Sequence, residues 1–307
     1  MNGYVPPAPG SMTGKLCLVT GATGGMGRVI TTELARAGAT VAVVCRDRSR
    51  GEELRRAVEV EVGADRVEVL VGDLSRQADV RQVAARFLAR HDRLHVLVNN
   101  AGAHFPEQRL GPDGVELHLA VNHLAGFLLT DLLLPALRTG APARIVNVVS
   151  HALTDTRLVK IRRTPRPATI SPDGLGEIDD AGPMQVYGRS KLAALMCGYL
   201  LADQLTDTGV TVTALHPGQV DTGIVNAVSP RLVAPVLPVV RRFLLTPSQG
   251  AEPAIRLATD PAVEGVTGLY YRRHRQCATP PASYDRRLQE QVWAASERLV
   301  NAAPPDR

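Results

Sequence analysis

A chain of 307 residues, 45% hydrophobic and 21% charged, can bury a sizeable core and sits just above the usual size of one domain. Its net charge of +5 is spread as arginine along the whole length instead of forming a basic block, which argues against a nucleic-acid partner. Cys17, Cys45, Cys197 and Cys277 form no CxxC pair and no metal-ligand spacing with histidine, which argues against a disulfide scaffold or a bound metal and for a reducing, cytoplasmic setting.

Residues 1–13 are rich in Pro and Gly, hold no apolar run suited to a signal peptide or a membrane span, and read as a flexible tail. A strand is predicted at 15–20 (KLCLVT) and a helix at 25–37, joined by Thr20-Gly21-Ala22-Thr23-Gly24-Gly25-Met26-Gly27. Glycine lets such a turn tighten and lets a pyrophosphate approach the N–H groups opening the helix, so Gly21, Thr23, Gly25, Met26 and Gly27 are candidate nucleotide contacts. The next strand, 40–45, ends at Arg46-Asp47. A dinucleotide fold usually carries an acid for the ribose hydroxyls roughly 20 residues past the glycine turn. Arg46 suits a 2′-phosphate instead, favouring NADP, while Asp47 keeps NAD open.

A strand at 67–71 leads into Asp73-Leu74, and a helix is expected near 76–90. The strand 94–99 leads into Asn100-Ala101-Gly102, so both motifs fall at carboxyl ends of strands, where open α/β sheets bind ligands. A long apolar helix near 115–138 carries Asn122, an amide that needs a partner there: a structural bond between helices, or a water linking the site to solvent. Strand 144–149 ends at Ser150, which can orient a substrate oxygen or simply cap the next turn.

Regularity lapses over 151–186, a Pro- and Arg-rich stretch too long for an ordinary connection and marked as an active-site insertion. A helix near 185–206 carries Tyr187 and Lys191 one turn apart on one face. A free phenol titrates near pH ~10 and needs an adjacent cation to exchange a proton near neutrality. Lys191 can supply that cation and also hydrogen-bond a nicotinamide ribose. Strand 210–215 is followed by Pro217-Gly218 and Thr222, then by an apolar, proline-broken segment, 224–245, read as a substrate lid. The same segment suits peripheral contact with a membrane surface or with another subunit of a homo-oligomer. A helix at 247–259, a strand at 268–271 and a helix at 284–299 complete the chain. Strands this uniformly apolar need both faces covered. The expected fold is α/β: one doubly wound, Rossmann-type domain over 14–307, with a mostly parallel seven-stranded sheet and helices on both faces.

The ordered set TGATGGMG, CRD, DL, NNAG, VNH, Ser150, YGRSK and HPGQVDT resembles the short-chain dehydrogenase/reductase family. Cys45-Arg46-Asp47 with Gly51-Glu52, Val121-Asn122-His123-Leu124 with Phe127-Leu128-Leu129-Thr130, and Val292-Trp293-Ala294-Ala295-Ser296-Glu297 resemble its retinol-dehydrogenase-like branch. The resemblance implies an NADP-dependent oxidoreductase acting on a lipophilic alcohol or carbonyl. Tyr187 would be its acid or base, Lys191 would lower the phenol's pKa, Ser150 would orient the oxygen, and Asn122 would complete a proton relay. It also assigns Pro217, Gly218 and Thr222 to the nicotinamide side. The chain departs from the branch at Val149-Ser150 (two serines are common), at Ala125-Gly126 (usually Gly-His), in the long basic insertion, and in lacking an N-terminal anchor. Two rivals are a non-catalytic cofactor-binding regulator or scaffold and a nucleotide-sugar epimerase or dehydratase. The intact Tyr, Lys, Ser and Asn set argues against the first, and NNAG with the short C-terminal region against the second.

Overall fold

The computed structural model describes residues 4–157, 165–220 and 244–302. Its strands are β1 (Leu16–Thr20), β2 (Thr40–Cys45), β3 (Val67–Val71), β4 (Val96–Asn99), β5 (Ala143–Val148), β6 (Val210–His216), β7 (Leu269–Arg272) and β8 (Arg275–Gln276). They form one sheet in the order β3-β2-β1-β4-β5-β6-β7-β8, parallel throughout except for the β7–β8 pair. The seven expected strands are therefore present, and a two-residue antiparallel strand is added at the edge. Arg273, in the left-handed region at φ 55, makes the tight turn into it.

The strands alternate their side chains into two separate cores. Leu16, Leu18, Ala42, Val44, Leu97 and Ile145 face one side. Cys17, Val19, Val41, Val43, Val98 and Val146 face the other. This period of two explains why β1, buried along its whole length, carries apolar side chains on both faces. The first core is closed by α3 (Gln77–Leu88), α4 (Leu117–Thr139), α5 (Pro183–Gln204) and α7 (Arg286–Asn301). The second is closed by α1 (Gly25–Arg36), α2 (Arg48–Val62) and α6 (Pro247–Thr259).

The sequence reading passes over α2, because its charged residues dominate and only Gly51, Leu54 and Val58 are buried. That stripe recurs at helical spacing but is too narrow to stand out. The helix is bounded clearly nonetheless: Asp47 caps its start, accepting from the N–H groups of Ser49 and Arg50, and Gly63 at φ 70 ends it. In α4, residues Ala120–Leu124 are wound as a π-helix, so an extra residue bulges from the turn that holds Asn122. By length and composition α4 could span a membrane, but 67% of its most apolar window is buried inside the fold, as expected for a core helix.

Of the expected tail, residues 5–11 are mostly exposed, but Tyr4 and Met12 touch the domain. Met12 is buried and donates its N–H to Ala37 O at 2.8 Å, and the Tyr4 ring stacks on His274 at 5.9 Å. An apolar methionine and a tyrosine anchor a segment whose Pro and Gly content reads as loose.

Candidate active site

The strand order reverses between β1 and β4, which opens a crevice at their carboxyl ends. The glycine turn and the Asn-Ala-Gly motif meet there. Gly21 and Gly25 take φ of 64° and 48°, and a Cβ on Gly27 would lie 2.2 Å from Gly21 O, so the chain crosses itself too closely for any side chain. No side chain caps α1 and its first turn holds no acid, so its N-terminus presents an open, positive dipole end. Asn100 acts as a staple: its Nδ2 donates to Thr20 O (2.8 Å) and Gly21 O (3.3 Å), and the Ala101 N–H donates to Thr20 Oγ1 at 3.0 Å. Thr20, on which the sequence reading places no role, thus ties the two halves of the crevice together.

Around the end of β2, the Asp47 carboxylate is occupied in capping α2 and also accepts from the Ser49 hydroxyl at 2.6 Å. These bonds hold its pKa below the ordinary value, with the Ser49 hydroxyl the largest cause. Arg46 is exposed just past the end of β2, and the Arg50 guanidinium reaches back to Thr23 O in the glycine turn at 3.4 Å. Asp73 closes an Asx turn onto the Ser75 N–H, and Leu74 packs against the first core beside it.

Tyr187, Lys191 and Asn122 are all buried where α5 meets α4 and the end of β5. Burial pushes the Tyr187 phenol above its ordinary pKa, and a hydrogen bond with Ser150 pulls it back. Ser150 Oγ also accepts the Ala152 N–H at 3.2 Å, so it caps a short turn and faces the phenol at once. The Lys191 ammonium, lowered to about 8 by burial, donates to Val148 O at 3.1 Å. Asn122 Oδ1 accepts the Ala103 N–H at 2.7 Å, while Nδ2 donates to Ala103 O (2.9 Å) and Ser190 Oγ (3.0 Å). Its amide therefore clamps the loop after β4 onto α5. A Cβ on Gly102 would lie 2.9 Å from Lys191 Nζ, so this glycine is what lets the loop pass over the lysine. Gly188 does the same for the insertion: its Cβ would lie 2.7 Å from Ala152 O and 3.0 Å from the Ala168 side chain.

The described parts of 151–186 are pinned down. Thr156 and Ala168 donate their N–H groups to Arg166 O and Leu153 O, and Glu116 donates its N–H to Gly176 O. Pro217-Gly218 follows β6, with Gly218 at φ 101. Thr222 and most of the predicted lid, 224–245, lie outside the described residues.

Histidines that the sequence reading leaves aside line the phenol. The ring centroids of His104 and His118 lie 5.5 Å and 6.2 Å from that of Tyr187, both edge-on. His118 Nε2 accepts the Phe105 N–H at 2.9 Å, so its proton sits on Nδ1 and is donated to Glu116 Oε1 at 2.7 Å. A cavity of about 150 Å³ runs from Thr20, Ala101 and Asn122 in the crevice to Thr130, Asn147 and Trp293 between α4 and α5, and Tyr187 is not in its lining.

A family model described as short chain dehydrogenase matches residues 15–159. Human retinol dehydrogenase 14 is 38% identical over 95% of this chain and 88% of its own length. Polyprenol dehydrogenase from Danio rerio is 36% identical over 96% and 89%. The chain belongs to the short-chain dehydrogenase/reductase family and is an oxidoreductase acting on CH–OH or C=O groups. Within the family it falls in the retinol-dehydrogenase-like branch. Among solved structures, an uncharacterized protein from Mycobacterium Paratuberculosis aligns at TM-score 0.76 and 27% identity over 99% of this chain and all of its own. An RhlG/NADP active-site complex from Pseudomonas aeruginosa aligns at 0.67 and 26% over 87% and 97%.

Proposed function

We propose that this protein is an NADP-dependent dehydrogenase/reductase in which Tyr187 exchanges a proton with the oxygen of a lipophilic alcohol or carbonyl. The observation that carries the reading is the buried Tyr187 phenol, set at the switch-point crevice one helical turn from the buried Lys191, with the Ser150 hydroxyl lowering its pKa against burial. The cradle fits a dinucleotide: Gly27 stands where even a Cβ would strike backbone, and the α1 N-terminus is uncapped. Gly21, Thr23, Gly25 and Met26 would hold the pyrophosphate, and Asp73, Leu74, Asn100 and Ala101 the adenosine side. Lys191, Pro217, Gly218 and Thr222 would hold the nicotinamide side. The cofactor would supply or accept the hydride.

In the reducing direction the Tyr187 hydroxyl gives its proton to the substrate oxygen, which Ser150 holds in place. Burial makes the resulting phenolate costly, so it depends on the Ser150 hydroxyl and on the Lys191 ammonium, which stays largely protonated near neutrality. Asn122 fixes the loop over Lys191, and the phenolate takes a proton back from the Lys191 ammonium, which is in turn reprotonated from solvent. NADP rather than NAD is favoured because Asp47 is committed to capping α2, whereas Arg46 is exposed just past β2 and Arg50 reaches the glycine turn. The RhlG structure was itself solved with NADP. Unpaired thiols at Cys17, Cys45, Cys197 and Cys277 accord with a reducing, cytoplasmic setting.

The test is a panel of lipophilic aldehydes, ketones and secondary alcohols followed through NADPH absorbance, with parallel NADPH and NADH titrations of wild type and Arg46→Ala. Turnover with NADPH bound tighter, and at least about tenfold of that preference lost in the variant, is expected. Tighter NADH binding would give the site to Asp47.

A further inference from the structure

We infer that His104 is a substrate-recognition residue, and that the substrate carries a second, uncharged hydroxyl or carbonyl on the carbon next to the reacting one. This rests on the proposed reading of Tyr187 as the group that meets the reacting oxygen. His104 is only 7% exposed, and neither ring nitrogen has a hydrogen-bond partner among the described residues. It is the one described side chain that leaves two buried polar atoms unmatched. Its surroundings offer no remedy. On one side, both nitrogens of His118 are taken by Phe105 N–H and Glu116, and the second Glu116 oxygen accepts the Leu119 N–H. On the other stands the Tyr187 ring, edge-on at 5.5 Å.

An imidazole desolvated without partners is costly, and such a group beside a reacting phenol is satisfied by what binds there. The chemistry of that partner follows from the charge of the ring. Burial, reinforced by the neighbouring His118, depresses His104 to about 4, so near neutrality it offers one N–H and one lone pair. A hydroxyl matches both and a carbonyl matches the donor, whereas a carboxylate would call for an imidazolium that this site disfavours. With the two rings edge-on at 5.5 Å, the most compact substrate that meets both carries its two groups on neighbouring carbons: an α-hydroxy ketone, an α-diketone or the corresponding vicinal diol, on an otherwise apolar body.

The test uses the full chain with NADPH and a matched pair, benzylacetone and the α-hydroxy ketone of the same skeleton. Wild type is expected to favour the hydroxy ketone in kcat/KM by about tenfold or more, His104→Phe to bring the ratio close to one, and His104→Asn, which keeps a donor and an acceptor, to restore part of it. A wild-type ratio near one, or a His104→Phe variant that loses activity with the ratio intact, overturns the inference. A second measurement needs no turnover: the hydroxy ketone is titrated into the NADPH complex of Tyr187→Phe, with and without His104→Phe. Tighter binding that depends on His104 supports the assignment, and equal binding defeats it. If wild type reduces neither ketone, the proposed activity fails while this titration still decides on His104.

Discussion

Gly27 shows how one position can govern nucleotide binding without touching chemistry. Any side chain there would meet Gly21 O at 2.2 Å and Asn100 Nδ2 at 2.8 Å, both held by backbone or by the staple across the crevice. Gly27→Ala should therefore abolish NADPH binding, read by fluorescence titration, while circular dichroism stays native. Residues whose chemistry is carried by type and spacing, such as Tyr187 with Lys191 or the glycine turn, are legible in the sequence. Residues whose role is set by who is nearby are not. Thr20, Arg50 and His104 acquire meaning only when β1, α2 and the loop after β4 are brought to one crevice. Asn122 illustrates the same limit. Its burial is foreseeable, yet its three bonds to Ala103 and Ser190 depend on a π-wound turn that no periodicity reveals. The sequence names Lys191 as the cation for the Tyr187 phenol, and the structure adds the Ser150 hydroxyl, which lowers the phenol's pKa against burial.

At the scale of elements, the strands read clearly because both faces are covered, and α2 is missed because a crossover helix on the surface needs only three buried positions. The exchange of the branch's usual Gly-His for Ala125-Gly126 leaves α4 thin where it faces β4. A Cβ on Gly126 would meet nothing nearer than Asn99 Cγ at 3.4 Å, an ordinary contact. Gly126→Ala should thus raise unfolding stability by about 0.5–1 kcal/mol through helix propensity alone, measured by urea denaturation. A loss of stability would mean that the cavity beside Asn99 does not tolerate being narrowed. The N-terminal segment carries a complementary lesson. Composition marks it as loose, but two anchors, Tyr4 on His274 and Met12 under Ala37, suffice to seat it.

For the whole molecule, two cores on one sheet leave little room for water, and buried histidines link stability to pH. Burial, with Lys191 nearby, depresses His123 to about 3 from 6.5, and its Nε2 pairs with Ser296 Oγ at 2.7 Å. Below pH 6.5 the unfolded chain takes up a proton that the folded chain refuses, so this group's effect is absent above 6.5 and costs stability progressively as pH falls towards 3. The stability gap between wild type and His123→Gln should be flat above pH 6.5 and shift in favour of the variant below it, in denaturant melts across that window. A gap that does not change with pH would show that His123 titrates normally.

Sheet order, crevice and the meeting of Ser150, Tyr187 and Lys191 all bear on one central claim: that the phenol carries the proton. The most direct measurement is Tyr187→Phe, assayed for NADPH-coupled turnover alongside NADPH binding. Turnover lost by about a thousandfold or more, with cofactor affinity nearly unchanged, is the expected result, since general acid–base groups are commonly worth about 10² to 10⁴ in rate. Turnover retained at the wild-type level would contradict it.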